Sequence, residues 1–131
     1  MPKVVVNVDL DSDVHDKLLM MSDVLGRELD KTLELVIWWC HERAVLHDGC
    51  LAPDLRSAMA SRSKTVGVNV SIDDRVHEQL LSLKATLRLP NLSETLDRAV
   101  LVFFERKKLL FGPIAEAKAK ARKELQKEMP K

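Results

Sequence analysis

The chain has 131 residues, of which 46% are hydrophobic, 31% are charged and 4% are aromatic. This length is close to that of one domain and excludes a multidomain enzyme, and the composition is typical of a helix-rich globule rather than a disordered tail. The formal net charge is +1, so the total charge neither requires nor excludes a nucleic-acid partner.

The two cysteines, Cys40 and Cys50, are too few for a disulfide scaffold and lack the paired spacing of a zinc site. No apolar run approaches the ~20 residues of a membrane span, and the first ten residues lack the basic start and apolar stretch of a secretion signal. We therefore expect a cytoplasmic protein with reduced thiols and no membrane segment.

The first predicted element is a strand over residues 4–10. Aliphatic residues alternate there with Val5, Asn7 and Asp9, which is typical of a strand with one buried face. Asp11 stands where a helix N-cap belongs. A helix follows, because the apolar spacing changes to that of Val14, Leu18, Met21 and Leu25.

Gly26 ends this first helix, and a second, more apolar helix is predicted over residues 29–46. Its inward row is Leu29, Leu33, Val36, Ile37 and Cys40. Residues 48–64 read as a linker with one helical turn after Pro53.

The chain then repeats itself. Residues 4–19 match residues 66–81 at nine of sixteen positions, and the match resumes one residue further on with Leu29 and Leu92. The second copy therefore has a strand over residues 66–72, an N-cap at Asp73, a break at Pro90 and a second helix over residues 92–110.

We accordingly divide the chain into repeat 1 (residues 1–47), the linker (48–64), repeat 2 (65–111) and a basic C-terminal helical tail (112–131). A strand followed by two helices cannot close its own core, because a lone strand leaves both edges unpaired. We therefore expect the two strands to pair antiparallel as a short two-stranded ribbon above four helices. The predicted fold is mainly α, an intramolecular pseudo-dimer.

This pattern of alternating strand, capped helix, Gly or Pro break and apolar second helix resembles the ribbon-helix-helix (Arc/MetJ-like) superfamily of DNA-binding proteins. The resemblance covers about residues 3–46 and 65–110, as a tandem single-chain version of a motif that normally occurs once per chain. It implies a protein that inserts its ribbon into the major groove of double-stranded DNA.

The resemblance assigns base reading to the outward strand residues Val5, Asn7, Asp9, Gly67, Asn69 and Ser71. Asn7 and Asn69 are the best candidates, because asparagine is disfavoured in strands and its amide can bond an adenine edge bidentately. The alternative for this pair is ordinary surface polarity. Asp9 needs a cytosine amino group as partner, and Gly67 contributes no side chain.

The family also holds a phosphate at the start of each second helix, which corresponds here to Asn91, Leu92 and Ser93. The counterpart in repeat 1 contains Glu28 and Asp30, whose charges repel a phosphate unless Arg27 and Lys31 outweigh them. Repeat 1 has a net charge of −4 and the tail of +3, so we expect phosphate attraction from repeat 2 and from tail residues Lys118, Lys120, Arg122, Lys123 and Lys127. The alternative for the tail is a solvated helix with no partner.

Two further features have simple alternatives. His15 and His77 recur on the first helix of each repeat, and the family has a nickel-responsive branch, so a metal site is one interpretation. No further ligand cluster accompanies the two histidines, and we expect no metal or other cofactor.

Trp38 and Trp39 point to adjacent sides of a helix, so at most one faces the core and the other covers the linker or a partner.

No catalytic motif is recognisable, and we expect a non-enzyme. The leading interpretation is a sequence-specific DNA-binding protein, a transcriptional repressor or an accessory factor of a plasmid or phage, with possible self-association of pseudo-dimers. The alternative is a protein-binding module, antitoxin-like or inhibitory, on a ribbon-helix-helix scaffold that has lost DNA binding and grips its partner through the tail or the tryptophan surface.

Overall fold

The computed structural model describes residues 3–46, 50–58 and 64–107, which form a mainly helical structure with a two-stranded antiparallel sheet. The elements in chain order are β1 (Lys3–Asp11), α1 (Ser12–Leu25), α2 (Leu29–His41), a π-helical turn (Glu42–Leu46), α3 (Ala52–Ser57), β2 (Thr65–Asp73), α4 (Asp74–Leu87) and α5 (Leu92–Arg106). Each strand is thus followed by two helices, and α3 lies between the two strand-helix-helix units. The predicted C-terminal tail lies outside the described residues.

The two strands pair antiparallel along their whole length, as predicted. Asn7 lies opposite Asn69, and the same register places Val4 opposite Ile72 and Leu10 opposite Val66. The sequence repeat makes Val4 equivalent to Val66 and Leu10 equivalent to Ile72. The ladder is therefore symmetric about the pair formed by Asn7 and Asn69.

The alternating aliphatic face of the ribbon lies on the hydrophobic core. Val6, Val8 and Leu10 of β1 are buried, as are Val70 and Ile72 of β2, while the residues nearer the strand starts are half-buried. The predicted inward rows of the second helices are confirmed by the burial of Leu33, Val36, Ile37 and Cys40 of α2 and of Leu96, Ala99, Val100 and Phe103 of α5. The first member of each row, Leu29 or Leu92, is half-buried. The buried residues of both units form one hydrophobic cluster, and complete burial of an aliphatic side chain is worth ~1.5–3 kcal/mol.

The predicted helix starts are confirmed by side-chain caps. The backbone N–H of Asp13 donates to Asp11 at 3.2 Å, and that of Arg75 donates to Asp73 at 2.9 Å. Chiefly through that second hydrogen bond, the pKa of Asp73 is held below its ordinary value. At α5, Asn91 accepts from the backbone N–H of Glu94 at 2.8 Å, as its N-cap position requires.

The first helix of each unit ends on a left-handed residue. In the first unit this residue is Gly26, with φ 64°, and in the second it is Arg88, with φ 55°. The sequence placed the second break at Pro90, two residues later. A side chain at positive φ costs about 1 kcal/mol or more. The turn at Arg88 is closed by backbone hydrogen bonds from Arg88 to Ala85 and from Leu89 to Lys84, as is common at helix ends.

The outer edges of the ribbon are bonded by side chains that cross between the units. The backbone N–H groups of Asp9 and Asp11 in β1 donate to α5, and those of Ser71 and Asp73 in β2 donate to α2. We call the four accepting residues the edge acceptors: Ser93, Asp97, Asp30 and Glu34. Because each strand is bonded by the second helix of the other unit, these bonds join the two units to each other.

The segment between the units contributes to the core, which the sequence did not indicate. Leu51, Ala52 and Leu55 are buried, and α3 begins at Ala52 rather than after Pro53. Arg98 of α5 donates to the carbonyl of Leu55 at 3.2 Å. The described part of the linker is therefore packed against α5.

The second helix of the first unit was predicted to run to residue 46, but its α-helical part ends at His41 and a π-helical turn follows. The Arg43 side chain donates to the carbonyl of Trp39 at 3.2 Å, and its guanidinium lies 4.4 Å from the centre of the Trp39 ring. A regular helix offers that carbonyl to the main-chain N–H of residue 43. A side chain that takes such an acceptor loosens the helical ladder.

Candidate nucleic-acid interface

The outer face of the ribbon carries the predicted base-reading residues. Five of them are exposed and Ser71 is half-buried. They form three opposite pairs along the ladder: Val5 with Ser71, Asn7 with Asn69, and Asp9 with Gly67. The structure thus brings the predicted set together on one continuous surface.

The central pair of this surface is the two asparagines. Directly opposite residues in an antiparallel ladder have Cβ atoms about 4.5–5.5 Å apart, so the amides of Asn7 and Asn69 lie side by side. Each amide offers an acceptor and two donors to solvent. Because the ladder is two-fold symmetric about this pair, the two amides are presented in opposite directions along the ribbon.

The pair at one end joins an acid to a glycine. A Cβ added at Gly67 would lie 3.5 Å from Oδ1 of Asp9, so the carboxylate lies across the space that the glycine leaves. The backbone N–H of Asp9 donates to Ser93 Oγ at 3.0 Å. Asp9 is therefore held at the edge of the ribbon next to the start of α5.

The start of α5 is the predicted phosphate site of the second unit. Asn91 is exposed and its side chain caps the helix, whereas Leu92 and Ser93 are half-buried. The Ser93 hydroxyl accepts from the strand through its oxygen, which leaves its hydrogen able to donate. Of the backbone amides of the first helical turn, that of Glu94 already donates to Asn91, and the first amides of a helix have no acceptor within the helix itself.

The start of α2 differs from the start of α5. Glu28 provides no side-chain cap, and Asp30 Oδ2 accepts from the backbone N–H of Ser71 at 3.3 Å. Arg27 is exposed, while Lys31 lies 3.4 Å from Glu34. From the sequence alone we interpreted Asp30 only as a charge that repels phosphate. That interpretation was incomplete, because the Asp30 carboxylate also accepts a hydrogen bond at the edge of β2.

Several cations lie at or near the ends of the strands and helices that border the ribbon. The exposed ones within the described residues are Lys3, Arg27, Lys31, Lys64, Arg75 and Arg88. The predicted phosphate contacts Lys118, Lys120, Arg122, Lys123 and Lys127 lie outside the described residues. Of the described cations at this surface, Lys3, Arg27 and Lys31 belong to the first unit, Arg75 and Arg88 to the second, and Lys64 to the linker.

The tryptophan pair divides as the helical geometry requires. Trp39 is buried edge-on against Phe103, with ring centres 5.2 Å apart, whereas Trp38 is 46% exposed.

Burial raises the pKa of the neighbouring Cys40 thiol to about 12, so this thiol is unreactive. His15 and His77 are half-buried, and within residues 3–46, 50–58 and 64–107 no three metal-ligating side chains converge.

Sequence reasoning missed the edge acceptors Glu34 and Asp97. Asp97 is 1% exposed and accepts from the backbone N–H of Asp11 at 3.1 Å. An acidic residue inside an apolar helical row was the available sign, since a buried carboxylate requires a hydrogen-bond donor.

In the part of the chain that the structure describes, every helix is too short or too polar to cross a membrane.

Comparisons with protein-family models, with curated protein sequences and with solved structures found no match to this chain.

Proposed function

We propose that this protein binds double-stranded DNA in a sequence-specific manner as a tandem ribbon-helix-helix regulator, a repressor or a plasmid or phage accessory factor. The observation that carries the proposal is the exposed row of side chains on a ribbon whose ladder is symmetric about Asn7 and Asn69. Asparagine lowers strand stability and buries nothing at this position. A surface function accounts for its presence at both equivalent sites.

The dimensions of the ribbon suit the major groove. Two paired strands lie about 4.8 Å apart, and the groove of B-DNA is about 12 Å wide and admits a two-stranded ribbon. An asparagine amide can bond N6 and N7 of adenine together, and each such bidentate contact is worth ~1–3 kcal/mol of discrimination. Two such contacts at the centre of the ribbon would supply a large share of the sequence preference.

The surrounding cations would supply the sequence-independent part of the affinity. Arg27 and Lys31 flank the start of α2, and Arg88 precedes the start of α5. Phosphate contacts release counterions, so the affinity of a DNA-binding surface falls linearly with salt on logarithmic axes, with a slope near −0.9 for each phosphate contact. Nonspecific affinity is therefore expected to be strongest at low salt.

The test is selection of bound fragments from random duplexes, followed by affinity measurements against salt. Replacing Asn7 and Asn69 together with Ala is expected to weaken binding to the selected duplex by at least about tenfold while leaving binding to unrelated duplexes and thermal stability nearly unchanged. The matched control is L19S/L81S, which changes an equivalent exposed pair on α1 and α4. Equal affinity of the asparagine variant and the parent for the selected duplex would contradict the base-reading assignment.

The protein-binding alternative is favoured by one observation, the 46% exposure of Trp38, an aromatic side chain of the kind that anchors protein interfaces. The same experiments separate the two functions. Absence of salt-dependent binding to any duplex at low ionic strength would reject the DNA proposal. If the protein does bind DNA, truncation after Gly112 tests the role of the tail. Removal of a tail that contacts phosphates flattens the dependence of affinity on salt, whereas removal of a protein-docking tail leaves it unchanged.

A further inference from the structure

The backbone of the ribbon is symmetric, but its outward side chains are not. The sequence repeat makes Val5 equivalent to Gly67 and Asp9 equivalent to Ser71. The register pairs Val5 with Ser71 at one end and Asp9 with Gly67 at the other. The ribbon therefore has two chemically different ends on either side of an identical asparagine centre.

Each end also adjoins a different helix. Ser71 is bonded through its backbone N–H to Asp30 of α2, and Asp9 is bonded in the same way to Ser93 of α5. These bonds attach each end of the ribbon to a different helix. The chemical difference between them is therefore held in one orientation relative to the rest of the molecule.

The two ends select different base edges. Val5 is 66% exposed and has no polar atom, so it suits the methyl group of thymine, with Ser71 beside it as a hydroxyl. The carboxylate of Asp9 only accepts hydrogen bonds, and in the major groove the amino group of cytosine is the donor that suits it. Gly67, opposite Asp9, leaves the space into which the carboxylate extends.

We propose that the bound DNA site is non-palindromic, with a thymine flank on the side of Val5 and a cytosine flank on the side of Asp9, about a centre read by the two asparagines. This inference rests on the proposed DNA-binding function and adds the direction in which the protein lies along its DNA site. From Val5 to Asp9 the strand rises about 13 Å, which corresponds to about four base pairs. The part of the DNA site that distinguishes its two directions is thus short and lies within one major-groove contact.

The experiment compares the parent with the variant D9S/G67V. These two substitutions give both repeats the outward order Val-Asn-Ser, so the two ends of the ribbon become alike. The one atom within 4 Å of a Cβ built at position 67 is Oδ1 of Asp9, at 3.5 Å, which D9S removes, and the backbone is not left-handed there. A second variant, V5G/D9S, makes the ends alike with the outward order Gly-Asn-Ser, and it keeps the test available if the first variant is unstable.

Three duplexes are then titrated: the site selected by the parent and the two palindromes built from its left and right halves. The parent is expected to bind its own site about tenfold or more tightly than either palindrome, since each mismatched base pair typically costs a factor of this order. D9S/G67V is expected to prefer the palindrome built from the half that Val5 and Ser71 read. The control L19S/L81S should keep the parental preference.

A palindromic site selected by the parent would overturn the inference while leaving the DNA-binding function standing. The inference also fails if the parental site is non-palindromic but both variants with matched ends keep the same polarity, because the asymmetry then arises away from the ribbon. If the parent binds no duplex with salt dependence, the proposed function fails and the inference fails with it.

Discussion

The first and second strand-helix-helix units have the same sequence of elements but differ in the side chains that bond the ribbon. At equivalent positions of the second helices, the first unit has Asp30 and Glu34, whereas the second has Ser93 and Asp97. All four accept a backbone N–H from the opposite strand. The comparison teaches that the same bond is made by a carboxylate at three of these positions and by a neutral hydroxyl at the fourth.

The first helices differ in a similar way at their ends. The left-handed residue is glycine in one unit and arginine in the other, at positions 62 residues apart. A backbone conformation that glycine adopts freely recurs where arginine must be forced into it. The same pair of local backbone hydrogen bonds closes both helix ends, from Gly26 and Arg27 in the first unit and from Arg88 and Leu89 in the second.

The largest expected effect tests whether the two units share one core. Leu33 and Leu96 are equivalent and 0% and 1% exposed, so replacing either with Ala should destabilise the protein by about 2–5 kcal/mol through lost contacts and a cavity. Both variants should unfold in one cooperative transition in urea, monitored by circular dichroism. Leu19→Ala, at a 38% exposed position, is the control. Two separate transitions, with only one of them shifted, would show that the units are independent.

A smaller effect should separate the edge acceptors by their burial. Asp97→Ala leaves the buried N–H of Asp11 without this acceptor and should cost about 1–3 kcal/mol. Glu34→Ala should cost less, because the Glu34 side chain is 14% exposed and water can replace it at Asp73. Urea unfolding of both variants measures the difference, and the amide variants Asp97→Asn and Glu34→Gln should recover part of the loss. Equal losses in the two alanine variants would contradict the role of burial.

The smallest effect concerns pH and a position at which the units differ chemically. Burial lowers the pKa of His41 below its ordinary 6.5, partly offset by Glu42; the equivalent residue of the second unit is Phe104. The unfolded chain therefore binds a proton more readily than the folded protein, and His41 makes the free energy of unfolding fall as the pH drops through 6.5. His41→Phe should reduce that loss between about pH 7.5 and pH 5.5. An identical pH dependence in parent and variant would contradict this assignment.

Much of the fold could be predicted because its determinants are local and occur twice. Alternation from Val4 to Leu10 predicted the strand and its buried face, and Asp11 and Asp73 predicted the helix starts. The repeat predicted the pairing of the strands, since only a second copy could cover a lone ribbon edge. The outward row of the candidate site followed from the same alternation.

Other features depend on contacts between distant residues and could not be predicted in the same way. The bond from Asp11 to Asp97 spans 86 residues, so the donor that this carboxylate accepts from is not evident from the residues around it. Leu51 and Leu55 lie in a segment whose polar composition indicated a linker, although both side chains are buried. At the early end of α2 the Arg43 side chain donates to the carbonyl of Trp39, a contact that helical periodicity does not reveal.

The pairing of β1 with β2 inside one chain changes how the ribbon depends on protein concentration. A ribbon shared by two separate chains dissociates when the protein is diluted below its dissociation constant, whereas two strands of one folded chain remain paired at any dilution. The outward surface of this protein therefore exists in every folded molecule, however few copies a cell contains.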